Sequence, residues 1–200
     1  MHLEPFTLGL PDWAERLLPP EDVVLETLER RMALAIALSK QSLRHGGGPF
    51  GAAVFERDTA RLVAAGVNLV EPANCSLAHA EMVALALAQR RLNNYDLGAD
   101  GLPPCELITS TEPCAMCLGA VPWSGVRRLV CGARDADARE VGFDEGLKPR
   151  RWREHLESLG IEVVCDVLRE EARAVLVEFA RAGRNAYNAR REDVSGAGSE

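Results

Sequence analysis

The sequence predicts an α/β protein, a three-layer α/β/α sandwich on a mixed five-stranded sheet whose fourth and fifth strands run parallel. Three observations predict it. Short aliphatic runs alternate with longer segments whose apolar residues recur at helical spacing. The first two short runs are separated only by a polar turn and can pair directly. The last ones are separated by helical segments, and a strand–helix–strand passage brings the chain back parallel because a tight turn cannot.

Residues 1–20 are rich in proline and lack a sustained period, so they are expected to lie over the domain as an extension, anchored by Trp13. From Glu21 to Leu43 the residues Leu25, Leu28, Met32, Ile36 and Leu43 recur at helical spacing, and the glycines after His45 end that helix. Strands are expected at Ala52–Arg57 and Leu62–Asn68, joined by the turn at Asp58-Thr59. Ser76 is the expected N-cap of a helix running to Arg91. Cys105–Ser110 is the third strand, Cys114–Trp123 a helix and Arg127–Gly132 the fourth strand. A loop from Gly142 to Lys148 precedes a helix over Arg150–Leu159 and a fifth strand at Ile161–Val167. The last helix, Leu168–Ala182, has the stripe Leu168, Ala172, Val175, Leu176 and Phe179. The division is therefore an N-terminal extension (1–20), one domain (21–183) and a tail (184–200) expected to be partly disordered.

Composition bounds the function. The 200 residues are 47% hydrophobic and 26% charged, an ordinary balance for one globular domain. No run reaches the ~18 apolar residues that a membrane span needs. Met1–Leu10 has no basic leader followed by an apolar block, so a cytoplasmic location is expected. A net charge of −7, with arginine pairs scattered among acids, argues against an extended nucleic-acid surface. Cys75, Cys105, Cys131 and Cys165 are expected to be small buried hydrophobes.

Two stretches carry the chemistry, His79-Ala80-Glu81 and Pro113-Cys114-Ala115-Met116-Cys117. His79, Cys114 and Cys117 are ligands of the kind zinc prefers, and three protein ligands leave the fourth tetrahedral position to water, as catalytic rather than structural sites do. One Zn2+ per chain is expected, lowering the pKa of its bound water to about 7. Glu81 beside that water is then the proton shuttle. Residues two apart on a regular helix point about 200° from each other, so His79 and Glu81 share a target only beyond the helix end. A lone Cys-x-x-Cys is as often a redox or buried pair, and a lone His-x-Glu is usually helix surface. The two motifs together, each opening a helix after a strand, point to catalysis.

These residues, His79-Ala80-Glu81 followed by Thr111-Glu112-Pro113-Cys114-Ala115-Met116-Cys117-Leu118-Gly119-Ala120, resemble the cytidine/deoxycytidylate deaminase superfamily in its purine and cytosine branch. The resemblance spans residues 46–145. Gly47–Ala52, Trp123 and Gly142-Phe143-Asp144-Glu145 are most similar to guanine deaminases, and Leu129–Ala136 is closer to tRNA adenosine deaminases. It implies a substrate-binding set of Asn68, Phe50, Ala52, Ala80, Trp123, Asp144 and Glu145. In it Asn68 hydrogen-bonds the ring, Phe50 lies against the base and the backbone at Ala52 meets its edge. Glu145 stands, one methylene longer, where an aspartate is expected to recognise the guanine amine or move its protons. Tyr187 and Asn185 could close over the pocket.

The resulting expectation is zinc-dependent hydrolytic deamination of a free nucleobase or nucleoside, a guanine-like purine first, with water as co-substrate and ammonia released. The alternatives are A-to-I deamination of tRNA, which the C-terminal arginines would serve, or a cytosine or cytidine deaminase. A third is a zinc-stabilised or redox-active module without turnover. No membrane partner is expected. The resemblance implies a homodimer, to which Met116, Leu118, Ala120 and Val121 on the Cys114 helix add apolar surface.

Overall fold

The computed structural model describes residues 7–184 and 186–188. In chain order the elements are α1 (Asp12–Glu15), α2 (Leu28–Arg44), β1 (Gly51–Glu56), β2 (Leu62–Val67), α3 (Ala80–Arg91), β3 (Cys105–Thr111) and α4 (Ala115–Ser124). They continue with β4 (Arg128–Ala133), α5 (Asp135–Glu140), α6 (Trp152–Ser158), β5 (Glu162–Val164) and α7 (Arg169–Arg181). The sheet order is β2-β1-β3-β4-β5. β1 runs antiparallel to both β2 and β3, whereas the β3/β4 and β4/β5 pairs are parallel. The mixed five-stranded architecture is the expected one.

Side chains alternate across the sheet as its pleat requires. Ala52, Val54, Leu107, Leu129 and Cys131 face one layer, against Ala84 and Ala88 of α3, Val121 of α4 and Leu156 of α6. Ala53, Phe55, Ile108 and Val130 face the other, against Met32, Ala35 and Leu38 of α2. α7 buries Ala172, Val175, Leu176 and Phe179 beside the end of β4, four of the five residues of its expected stripe. Leu168, the fifth, is the N-cap, with φ +48°.

Differences in element bounds have local causes. α2 starts at Leu28 rather than Glu21 because Thr27 caps it, its Oγ1 accepting from Arg30 N at 3.2 Å, while Leu25 N bonds to Ala60 O in the hairpin turn. β5 keeps three residues of an expected seven. Asp166 at φ +65° and Leu168 at φ +48° swing the chain into α7, and Val167 N bonds to Cys131 O. The sequence reading missed α5, whose six residues have no apolar stripe. It is held instead by Asp137, which pairs with Arg169 at 2.8 Å and accepts from Arg134 N. In the N-terminal extension Trp13 stacks on His45 at 4.3 Å, an anchor of the kind expected. The expectation for the tail from 189 onward lies outside the described residues. Cys105 and Cys131 are buried, Cys75 and Cys165 half-buried, and all six thiols are free.

The topology gathers the functional segments. Gly51 pairs with Val67 and Ala52 with Thr109, so the start of β1 and the ends of β2 and β3 lie at one edge of the sheet. Phe50 lies directly before β1, Asn68 directly after β2 and Cys114 three residues after β3. One close approach fixes α3 there. A Cβ on Gly66 of β2 would lie 2.1 Å from Ala80 O and 2.6 Å from Ala84 N, so α3 packs its backbone onto the strand.

Candidate metal centre and active site

His79 is the N-cap of α3 and Cys114 the N-cap of α4, both in extended backbone with ψ of 155° and 171°. Neither side chain caps its own helix. They face one another instead: His79 Nδ1 lies 3.5 Å from Cys114 Sγ and 3.6 Å from Cys117 Sγ. His79 thus precedes the helix proper, which frees its ring from the angular spacing that would separate it from Glu81. Both helix N-termini turn their positive ends toward the sulfurs, which favours thiolate.

This donor set fits zinc. Tetrahedral coordination with Zn–S of about 2.3 Å and Zn–N of about 2.0–2.1 Å sets sulfur and nitrogen about 3.6 Å apart, matching both separations. Among the described residues these three are the group able to hold a metal ion, their ligand atoms all within 4.8 Å of one another.

The charges around the set are unbalanced. Hydrogen bonding from Cys117, with His79 helping against burial, holds the Cys114 thiol down at about 4. Its bond to Cys114 and its burial push Cys117 well up. Burial would lower His79, but bonding to Cys114 and the charge of Glu81 raise it on balance. Glu81 is raised by burial and then by the Cys114 thiolate. Glu145 is pushed up to about 8 by burial and the same thiolate, despite Lys148. Several acids crowd one buried place, and a dication is the counter-charge that relieves them.

The centre opens into a cavity of about 490 Å³. Its floor is His79, Cys114 and Glu81, and Glu145 and Asp144 stand on one wall. The family model for the cytidine and deoxycytidylate deaminase zinc-binding region matches residues 25–133. The chain belongs to this deaminase family. A guanine deaminase from Nitrosomonas europaea superposes with a TM-score of 0.84 at 48% identity, over 90% of this chain and 100% of that one. The guanine deaminase of Bacillus subtilis is 40% identical over 56% of this chain and 69% of its own length. The tRNA-specific adenosine deaminase of the same organism is 32% identical over 84% of this chain and 97% of its own.

Within this deaminase chain the expected substrate residues divide. Phe50 lines the cavity and meets Phe143 edge-on at 4.8 Å, and Phe143 in turn meets Tyr187 at 5.7 Å, making an aromatic wall. Asn68 is buried behind that wall, where its Oδ1 accepts from Gly48 N and Val70 N and its Nδ2 donates to Tyr187 Oη. Ala52 and Ala80 are fully buried in the core and line no part of the cavity. Trp123 is 87% exposed, nine residues along α4 from Cys114 and so about 13 Å away at 1.5 Å per residue; the structure does not bring it to the site.

The segment 142–148 is strapped over the start of α4: Ala115 N donates to Glu145 O at 2.9 Å, and Gly146, at φ +73°, packs against Ala115 Cβ. On the far side Arg184 donates to the carbonyls of Leu43, Gly46 and Gly47 and covers the Phe179 ring, tying the segment that carries Tyr187 to the loop before Phe50. Sequence reasoning missed Phe143, although it sits inside the recognised Gly142–Glu145 motif, and it missed Asn188, Ser76 and Val70, which carry no chemical signal of their own. Asn185 lies outside the described residues.

Proposed function

We propose that this chain is a zinc-dependent guanine deaminase that converts guanine and water to xanthine and ammonia. The observation that carries the reading is the pair of buried carboxylates, Glu81 and Glu145, in one aromatic-walled cavity with His79 and Cys114, two of the three zinc ligands. The similarity to guanine deaminases supports the choice of base. Zinc held by His79, Cys114 and Cys117 supplies a nucleophile from water at neutral pH.

The chain's own residues do the rest. Glu81 takes a proton from water and passes it to a ring nitrogen. It then takes the second proton from the hydroxyl added to the ring carbon and gives it to the departing amine, which leaves as ammonia. Glu145 receives the polar edge of the purine and Asp144 stands beside it at the rim. Phe50 and Phe143 hold the ring between apolar faces. Asn68 bonds a ring heteroatom when its amide, now shared with Tyr187, turns to the base. Tyr187 lines the cavity with its ring edge-on to His79 at 6.1 Å.

A homodimer and a cytoplasmic location belong to the same reading. Leu118 and Val121 are spent on the chain's own core and Met116 lines the cavity, but Ala120 stays partly exposed and Trp123 almost wholly so. A helix apolar on all sides calls for a second cover. Six free thiols suit a reducing compartment.

The test is ammonia release by zinc-loaded protein from guanine, guanosine, adenine, cytosine, cytidine and a tRNA anticodon stem-loop. Guanine should lead, and an inert guanine beside a reactive stem-loop would overturn the reading. Glu81→Gln should keep one zinc per chain and lose about 10²–10⁴ in kcat. Full turnover in that variant would remove Glu81 from the chemistry.

A further inference from the structure

The segment that brings Glu145 to the cavity is gripped by a charge cluster that the chemistry above does not use. Asp135, the first residue of α5, is its hub. Its Oδ1 meets Lys148 Nζ at 2.6 Å and its Oδ2 meets Arg139 Nε at 2.6 Å. Each cation then reaches on to a backbone carbonyl. Lys148 Nζ donates to Pro113 O at 2.9 Å, directly before Cys114, and Arg139 Nη2 donates to Gly146 O at 2.7 Å, directly after Glu145. The backbone N of Asp135 donates to Glu112 at 3.2 Å, which fastens the hub to the end of β3.

The burial is the informative part. The Lys148 side chain is 8% exposed. Withdrawing an ammonium from water is costly unless an opposite charge and further acceptors meet it, and a loop needing only to close the chain has no use for one. Here the buried cation welds three segments at one point: the start of α5, the Pro113 turn and the end of the Glu145 loop. Its bonds go to a carboxylate and a carbonyl, not to sulfur. The grip therefore fixes the Glu145 segment relative to the metal loop through the backbone before Cys114, with no bond to a donor atom.

We infer that Asp135 and Lys148 are positioning residues for Glu145, acting on purine binding and turnover through the placement of that carboxylate and not through the metal. The inference rests on the proposed contact between Glu145 and the purine. A double-mutant cycle tests it, run on whichever base the wild-type enzyme deaminates fastest, so that failure of the guanine reading leaves the cycle readable. Lys148→Met should lower kcat/KM by about tenfold in the wild-type background and by less than about twofold in a Glu145→Gln background. Zinc should stay at one per chain in all four proteins, and Lys148→Arg should restore part of the loss. An equal fall in both backgrounds, or loss of zinc with Lys148→Met, would overturn the inference. Asp135→Asn gives a second route through the same cycle, with the same outcomes on either side, if Lys148→Met does not fold.

Discussion

Gly66→Ala tests how tightly the fold sets the metal geometry. The added methyl would sit 2.1 Å from Ala80 O and 2.6 Å from Ala84 N, and both are helix backbone that no side-chain rotation can move aside. Reaching even a tight 3.0 Å contact requires α3 to retreat from β2 by about 0.9 Å. That displacement falls on the first turn of the helix bearing His79 and Glu81, while Cys114 and Cys117 stay with β3 and α4. Metal–ligand distances keep within about 0.2 Å of their standard values, and a 1 Å misplacement of catalytic groups can cost about 10²-fold in rate. Overpacking itself costs about 1–3 kcal/mol. The variant should therefore fold with a lowered Tm, bind zinc more weakly in a chelator competition, and lose about 10²-fold in kcat/KM even when saturated with zinc. A variant with wild-type zinc affinity and kcat/KM within threefold would show that α3 can shift without carrying the site with it, and the reasoning would fail.

Other expectations follow from single contacts. Glu106 is fully buried between Arg31 and Arg128, so Glu106→Ala removes the counter-charge they share. Arg31 keeps the carbonyls of Leu25 and Glu26 and Arg128 keeps Glu162, so the cost in urea unfolding should be about 3 kcal/mol, the low end for a broken buried pair. Because Glu106 lies at the far end of β3, zinc binding should not change. Asp137 is held below the usual carboxylate range mainly by its hydrogen bond from Arg169. A depressed folded-state pKa contributes stability above the unfolded value, about 3.9, and loses it as pH falls through the folded one. Asp137→Asn should thus lower Tm at pH 7, with the gap to wild type closing below about pH 4; a gap constant with pH would refute that origin. Tyr187→Phe removes the hydroxyl that holds the Asn68 amide away from the base, and KM for the base should fall about 2–10-fold, as the release of one competing hydrogen bond implies, with zinc retained; an unchanged or higher KM would refute the turn of Asn68.

The sequence made the fold legible where local and tertiary demands coincide. α7 declares itself because its stripe both has helical period and meets the sheet, and Ala172, Val175, Leu176 and Phe179 are all buried as their spacing implies. α5 does not, because its stability comes from an ion pair to Arg169, thirty-two residues on, and not from a stripe of its own. The start of α2 was misplaced because apolar Leu25 continues the helical period while its backbone bonds to the hairpin turn instead. A period records which side of a chain is apolar; it does not record where the backbone finds its hydrogen bonds.

The site divides along the same line. The zinc ligands and Glu81 are legible because metal chemistry limits the residue types and helix N-termini limit their spacing. Trp123 shows the reverse. It follows the Cys114 motif in sequence, but α4 carries it about 13 Å along the chain's rise, out to the surface. Lys148 carried no signal at all, since a lysine closing a loop looks solvated until its Nζ is found between Asp135 and the Pro113 carbonyl. What a linear motif cannot hold is the support of its own residues. Cys114 stands at its depth because Glu112, one residue beyond β3, is buried against Arg153 and the start of α5, and Glu145 because α5 grips the loop around it. The short helix least visible in the sequence is thus the element on which both sides of the cavity are mounted.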